Sequence, residues 1–261
     1  MVLNFHKYQG TGNDFIILDN RDGKLPNLVE SVYKHLCDRK FGIGADGLMI
    51  LEKHPEYDFK MIYFNADGSE SSMCGNGGRC IVRFAESLGM VKNETNFLAV
   101  DGPHYAKISD KNIELKMIDV DQISKIGEDY QIYTGSPHYI KWVQNLKDYD
   151  VFHEGKSIRY SDTFEKAGIN VNFLELNSDG LHVRTYERGV EDETLSCGTG
   201  VTAAAIAYAI EKDLQGKQSI TVHTLGGNLE LRFNASDNKF DSVYLIGPAE
   251  FVFTGNIEIN Y

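Results

Sequence analysis

Two cysteines lie in turns of the same make-up. Ser196-Cys197-Gly198-Thr199-Gly200 leads into VTAAAIAYAI, and Met73-Cys74-Gly75-Asn76-Gly77-Gly78-Arg79-Cys80 leads into IVRFAESLGM. The first run is apolar nearly all the way round, which is the pattern of a helix enclosed on every side. Glycines beside each cysteine let the backbone approach a ligand closely. The N–H groups of the following helical turn point at that ligand and favour negative charge. A thiol there has a lowered pKa, because the thiolate is the form a helix N-terminus prefers. Each turn therefore reads as an anion seat with a reactive sulfur beside it.

Two such thiols suit one task. A thiolate on one face of a carbon removes a proton while a thiol on the opposite face returns one. A carboxylate held by both helix N-termini stabilises the charge that develops on the adjacent carbon. This is racemase or epimerase chemistry, and it calls for no cofactor. A cysteine hydrolase needs one Cys with a His in reach; the eight histidines leave that reading open, although duplication of the cysteine turn argues against it. A binding module that uses the anion seats without the thiols is a further alternative. A purely structural role for both cysteines is the blandest one, but a sulfur flanked by polar and glycine residues gains little packing. No metal is expected, since Cys74 and Cys80 lack zinc-ligand spacing and have no second Cys pair or His-x-His to join.

The elements that must position these turns repeat along the chain. Cys74 and Cys197 are 123 positions apart, and that offset carries Gly75 onto Gly198, Gly77 onto Gly200, Glu70 onto Glu193, Tyr63 onto Tyr186 and Gly12 onto Gly135 without a gap. Such a register indicates a duplicated unit. The first unit is expected to span 1–117, completed by a returning strand at 250–261, and the second 118–249. Apolar alternation predicts strands over 2–8, 15–19, 48–51, 59–65, 96–100, 105–109 and 112–117 in the first. In the second it predicts strands over 131–133, 139–143, 170–176, 181–186, 219–223, 228–233 and 241–245. Helical spacing covers 27–40, and a short helix is expected near Asp162. Asn13 and Asp14 read as turn residues that also face a ligand, and Cys37 and Cys80 as buried.

The chain has 261 residues, 42% hydrophobic and 25% charged, as a globular protein of two ordinary domains would. A net charge of −12 argues against nucleic-acid partners and anionic membrane surfaces, which attract basic patches. The start MVLNFHKYQG lacks a signal peptide's apolar region, and no apolar run approaches a membrane span. Four cysteines without a signal suggest free thiols in a reducing cytoplasm.

The two cysteine turns, together with Gly10-Thr11-Gly12-Asn13-Asp14-Phe15 and Tyr186-Glu187-Arg188-Gly189, resemble the diaminopimelate epimerase family. The likeness runs from the first strand to beyond the second cysteine helix. It implies an α/β (α+β) fold of two pseudo-symmetric units. Each would wrap a mixed, mostly antiparallel sheet around a buried central helix, with the active site in the cleft between them. It implies interconversion of LL- and meso-2,6-diaminopimelate without pyridoxal phosphate, in lysine and peptidoglycan precursor synthesis, by a protein that often forms homodimers. By position, Cys74 and Cys197 would be the acid–base pair. Gly75, Asn76, Gly198 and Thr199 would hold the reacting carboxylate through backbone N–H groups. Asn13, Asn65, Asn170 and Arg188 would bind the rest of the substrate, with Glu187 taking an ammonium group. Read without the family, Arg188 is a surface ion-pair partner of Glu187 or Glu191, and the asparagines are turn residues. Two positions depart from the family pattern: Ser136 stands where Asn is usual, and Gly47 lacks an amide that some members carry. Both touch substrate choice, so histidine and other amino-acid racemases of similar fold are the runner-up.

Overall fold

Alternation of apolar and polar residues makes most of this chain strand, as in Gly227–Ser236, where every second side chain is buried over most of its length. The computed structural model describes residues 1–259. In chain order the elements are β1 (Val2–Gly10), β2 (Asn13–Asp19), α1 (Glu30–Cys37), β3 (Gly47–Glu52), β4 (Phe59–Asn65), β5 (Glu70–Ser71), α2 (Gly75–Ser87), β6 (Glu94–Ala99), β7 (Gly102–Ile108) and β8 (Ile113–Lys116). They continue with β9 (Ile123–Ile126), β10 (Asp129–Tyr133), β11 (Pro137–Trp142), α3 (Val151–Arg159), β12 (Asn170–Asn177), β13 (Gly180–Glu187) and β14 (Asp192–Thr194). The last elements are α4 (Gly198–Glu211), β15 (Gly216–Thr224), β16 (Gly227–Ser236), β17 (Lys239–Gly247) and β18 (Glu250–Glu258). Residues 260 and 261 of the expected closing strand lie outside the described residues.

The chain divides into two compact units, Met1–Leu115 with the chain from Gly247 onward, and Lys116–Ile246. In the first, β18 pairs antiparallel with β1, β1 with β2 and β3 with β4, while β2–β3 and β4–β6 are parallel. In the second, β9–β10–β11 and β12–β13 are antiparallel, and β11–β12 and β13–β15 are parallel. The pairing scheme is the same twice. A parallel pair needs a crossover, and the helices supply it: α1 and α3 join the first parallel pair of each unit, α2 and α4 the second. Strands beside a crossover helix are covered on both faces, so Phe15–Leu18 on β2 and Leu48–Leu51 on β3 are buried without alternation. The sheet-dominated α+β class expected from the sequence is the one observed.

The offset of 123 survives in three dimensions for the first parallel pair and the cysteine helix of each unit. Phe15 pairs with Gly47 and His138 with Asn170, each the other's counterpart. Gly12 and Gly135 both have positive φ, 83° and 99°, where glycine is the residue without a steric penalty. The offset is not kept in every strand: Met49 faces Tyr63, but Asn172 faces Thr185 rather than Tyr186, and Ile17 faces His6, but Ile140 faces Tyr130 rather than Asp129. Tyr63 and Tyr186 match in sequence and are not structural counterparts.

All four helices differ from expectation. The helix expected over 27–40 covers only Glu30–Cys37, because the Asp38 carboxylate accepts the N–H groups of Lys40 and Phe41 and turns the chain. The helix expected near Asp162 is α3, begun eleven residues earlier, where the Asp150 side chain caps the His153 N–H. Gly155 inside α3 weakens its helical signal, yet a Cβ there would lie 2.4 Å from Tyr186 Cβ, so the helix needs it to reach β13. Finally, the glycine turns are themselves helical: α2 and α4 begin at Gly75 and Gly198, with Cys74 and Cys197 as the N-cap residues.

A charged cluster ties β1, β2 and the α1–β3 connection together. Lys7, nearly buried on β1, pairs with Asp14 at 2.8 Å and donates to the Gly44 carbonyl. Arg39 bridges Asp14 and Asp46 at 2.6 Å each. Burial alone would raise the Asp14 carboxyl, but the hydrogen bonds from Arg39 and Lys7 hold it down at about 2. An unfolded Asp titrates near about 3.9, so this stability is fully present above that value and is lost as pH falls toward the folded pKa. The urea midpoint is therefore expected to drop between about pH 4 and pH 2. Asp14→Asn should flatten that part of the curve; equal acid slopes in both proteins would remove Asp14 as its cause.

Candidate active site

Helix α2 carries the first thiol. Cys74 adopts an extended N-cap conformation, φ −96° and ψ 137°, and its side chain makes no capping bond. The first intrahelical bond runs from Gly78 N–H to the Cys74 carbonyl at 2.7 Å, so the preceding N–H groups lie outside the helix's own ladder. Cys74 Sγ is 3.7 Å from Asn13 Oδ1, which also accepts from Asn76 Nδ2 at 3.3 Å. Asn13 Nδ2 donates to Asp46 at 2.7 Å. Thus Cys74, Asn76 and Asp46 meet in one network through Asn13, with Gly75 between the first two in the chain. Asn65, half-buried at the end of β4, donates weakly to Ser69 Oγ at 3.4 Å and pairs across the ladder with Gly47.

The glycines of this helix make room rather than turns. A Cβ on Gly78 would meet Met73 Sδ at 2.8 Å and Leu115 at 3.0 Å, and one on Gly77 would meet Met49 Sδ at 3.3 Å. At Gly47 the ideal Cβ would lie 2.6 Å from the Tyr63 ring and 2.9 Å from its hydroxyl. The departure from the family pattern at Gly47 is thereby explained, since Tyr63 occupies the space a side chain there would need.

Helix α4 carries the second thiol in the same way. Cys197 is its extended N-cap, φ −117° and ψ 112°, nearly buried, with Sγ 3.5 Å from Thr199 Oγ1. Thr134 Oγ1 donates to the Thr199 carbonyl at 2.9 Å, and Thr202 Oγ1 to that of Gly198 at 2.9 Å. At the open ends of β12 and β13, Asn170 Nδ2 donates to Ser136 Oγ at 2.8 Å, and Asn170 Oδ1 accepts the Arg188 N–H at 2.9 Å. Ser136 is also 3.5 Å from Arg188 Nη2. The shorter side chain at position 136 therefore fastens Asn170 and Arg188 locally. Glu187 accepts from Thr194 Oγ1 at 2.9 Å. No carboxylate among the described residues pairs with the exposed Arg188, because Glu191 pairs with Arg159 at 3.4 Å. The surface ion pair considered for Arg188 does not form, and its guanidinium remains able to take a carboxylate in its planar fork.

Two buried residues were not singled out in the sequence. Asn172 donates to His138 Nδ1 at 3.0 Å and accepts from Thr185 Oγ1 at 2.9 Å. His138 is fully buried, and burial first, then the nearby Arg188 charge, pushes its pKa down to about 3 despite the Asn172 bond. It is therefore neutral at physiological pH, with Nδ1 accepting and Nε2 carrying the proton. Nε2 has no partner among the described residues. The sequence signal was the alignment of His138 with Phe15, a polar residue where the other unit buries a ring.

Comparison with known proteins settles the family. The sequence profile of the diaminopimelate epimerase family matches residues 5–123 and 130–252. The chain belongs to that family. It is accordingly an epimerase, an isomerase rather than a hydrolase. A diaminopimelate epimerase from Flavobacterium psychrophilum is 49% identical over 258 residues, 98% of this chain and all of the relative. One from Chlorobaculum tepidum is 41% identical over 260 residues, 96% and 99% of the two chains. Among solved structures, a PhzF-family phenazine biosynthesis protein from Bacillus anthracis superposes with a TM-score of 0.80 at 15% identity, covering 99% of this chain and 100% of the other. A probable proline racemase from Agrobacterium radiobacter K84 gives 0.70 at 14% identity, covering 99% and 93%. These last likenesses concern the fold alone.

The packing of α4 in this epimerase gives a sharp test. A Cβ on Gly200 would lie 2.4 Å from Asn172 Oδ1, and Asn172 is held on three sides by His138, Thr185 and the Tyr139 carbonyl. Gly200→Ala is expected to lower stability by about 1–3 kcal/mol in urea unfolding. It should also lower kcat, since α4 must move to relieve the clash. A wild-type unfolding midpoint would show that Asn172 yields without cost.

Proposed function

We propose that this epimerase interconverts LL- and meso-diaminopimelate, using Cys74 and Cys197 as an acid–base pair on one α-carbon. The observation that carries the reading is the repeated geometry: each thiol is the N-cap of a helix whose first turn is helical from the glycine onward. One sulfur, as thiolate, takes the α-proton, and the other, as thiol, returns a proton to the opposite face. The α-carboxylate lies against the backbone N–H groups of Gly75, Asn76, Gly198 and Thr199, where helix dipoles favour the charge that builds up as the C–H bond breaks. Arg188 takes the distal carboxylate and Glu187 the distal ammonium, while Asn13, Asn65 and Asn170 complete the contacts. Asn170 also orders the Arg188 backbone, and Asn13 the Cys74 sulfur. The two halves of the reaction would come from residues 1–117 and 118–249. The product serves lysine and peptidoglycan precursor synthesis in the cytoplasm, a setting supported by four free cysteines.

The test uses reduced protein, no added cofactor, and LL-diaminopimelate in deuterated water. Appearance of the meso isomer with solvent deuterium on its α-carbon is expected. Cys74→Ser and Cys197→Ser should each lower kcat at least about a thousandfold with the fold intact, since each removes one member of a pair that acts as a unit. Histidine racemisation without turnover of diaminopimelate would move the substrate to the runner-up.

A homodimer is part of the same reading. Among the described residues β18 pairs only with β1, and it exposes Phe251, Val252 and Phe253 along an edge. An apolar edge strand of this kind is a template for pairing with a second copy. Sedimentation should give a dimer at micromolar concentration and a monomer for Val252→Glu. A monomeric wild type would overturn the assignment of this edge to a dimer.

A further inference from the structure

The outer face of the second unit's sheet carries a cluster of side chains that the epimerase chemistry does not use. The turn between β12 and β13, closed by the pair Asn177–Gly180, carries Asp179. β13 and β15 then run parallel for two registered pairs, Leu181 with Val222 and His182 with His223. Leu181 and Val222 are buried, so by alternation His182 and His223 lie together on the opposite face. Their rings stack with centroids 4.6 Å apart and planes inclined by 23°. His182 Nε2 is 2.9 Å from Asp179 Oδ1, and His223 Nε2 is 3.0 Å from the Asp179 carbonyl oxygen. No cysteine takes part. Local spacing does not announce the cluster, because the two histidines are distant in the chain and meet only through strand pairing.

The rings are oriented as metal ligands are. Asn228, the partner of His223 across the β15–β16 ladder, places Oδ1 2.8 Å from His223 Nδ1. That bond puts the ring proton on Nδ1 and turns the Nε2 lone pair toward the Asp179 turn, which is the tautomer a metal needs. Among the described residues no donor meets this lone pair; it faces the Asp179 carbonyl, a second acceptor. A cation between them satisfies both. Gly180 keeps the approach open: at φ 138°, a Cβ there would lie 3.0 Å from His223 Nε2. The hydrogen bond from His182 holds the Asp179 carboxyl below its ordinary range, so the turn also supplies a negative charge at neutral pH.

The first unit supplies a contrast. Its corresponding parallel pair, β4–β6, registers Phe59 with Phe97 and Lys60 with Leu98. Phe59 and Phe97 are the buried pair, as Leu181 and Val222 are in the second unit. Lys60 and Leu98 therefore hold the outer place, and Lys60 pairs there with Glu52 at 3.8 Å. Neither an ammonium nor an alkyl chain can ligate a metal. The Asp101–His104 and Asp150–His153 pairs elsewhere have the carboxylate and one imidazole. Among the described residues, only Asp179, His182 and His223 bring three such ligand groups together.

We propose that Asp179, His182 and His223 form a zinc site that clips β13 to β15. Two imidazoles and one carboxylate suit a borderline ion such as zinc, whereas magnesium and calcium take oxygen ligands. The three ligand atoms lie within 4.8 Å of one another, and tetrahedral zinc would draw them to about 3.4 Å. The exposed Asp179 side chain can turn toward the ion. Zinc takes the place of the proton between His182 Nε2 and Asp179 Oδ1, and the neutral His182 ring carries its proton on Nδ1 instead. Water fills the fourth position. The clip has a mechanical use. Only two residue pairs register β13 with β15, and the connection between these strands contains α4 and Cys197. Bridging them fastens the crossover that encloses that helix, whichever substrate the thiols serve.

The test uses the untagged full chain carrying Cys74→Ser and Cys197→Ser, so that neither thiol competes for the ion. Calorimetric titration with zinc chloride should show one saturable site with a Kd below about 100 μM, and magnesium chloride should show none. His182→Ala, His223→Ala and Asp179→Ala should each weaken binding at least about tenfold. Asn228→Ala should weaken it about ten- to hundredfold and Asn228→Asp should restore it, since a carboxylate also accepts the Nδ1 proton. His153→Ala removes an Asp–His pair that lacks a second imidazole and should leave binding unchanged. Saturating zinc should raise the urea midpoint of the parent but not that of His223→Ala. Circular dichroism without metal checks each fold, and His182→Gln or His223→Gln replaces an alanine variant that fails to fold. No site below about 100 μM, unchanged affinity in both histidine variants, or an equal loss in His153→Ala would overturn the zinc site. Tight binding with no shift of the urea midpoint would overturn the clip.

Discussion

A helix buried on every side must hide its polar first turn somewhere, and that constraint organises each unit. Gly75–Ala85 on α2, except Arg83, and most of Gly198–Ala209 on α4 are out of contact with solvent. The N–H groups of the first turn then need a partner other than bulk water. A ligand anion would meet that need, so under the proposed function the same requirement that encloses the helix also provides the anion seat. The parallel pairs β4–β6 and β13–β15, joined by α2 and α4, are the structural price of it, since only crossovers bring strands around a helix rather than beside it.

Much of this was legible in the sequence. The all-round apolar run VTAAAIAYAI has no reading other than a buried helix. The alternating segments became strands at or within a few residues of their expected ends. The cysteine turns were recognisable because thiol, glycine and helix follow each other twice. Extent was less legible than existence: glycines at 75, 77, 78, 198 and 200 look like turn residues, but they form helical first turns, and Gly77, Gly78 and Gly200 leave space for Met49, Met73 and Asn172. Local sequence does not reveal which neighbour will crowd a position.

The polar interior was the least legible part. Asn172 and Thr185 read as ordinary strand residues and His138 as the end of a turn, yet they form one buried network whose polarity shows only after β11, β12 and β13 are paired. Arg79, a charged residue in a glycine-rich turn, carries no sequence signal of its burial and is fully enclosed. Short strands such as β5 and β14 were missed for a simpler reason. Two or three residues carry no periodicity, and they are strands only because β4 and β13 offer them an edge.

The one-residue slip of β13 bears on how duplicated halves diverge. Phe64 stacks on Tyr33 of α1 at 3.9 Å, and the residue that packs toward α3 in the second unit is Tyr186, 122 positions later. Because side chains alternate along a strand, sliding it by one position exchanges its entire inward set for its outward set. The second copy thereby acquired Thr185 facing Asn172 and Tyr186 against Gly155 while its helix stayed in register. A shift in strand pairing can thus do the work of many point substitutions at once, which lets an ancestral pair of identical halves become chemically unlike without rebuilding either scaffold.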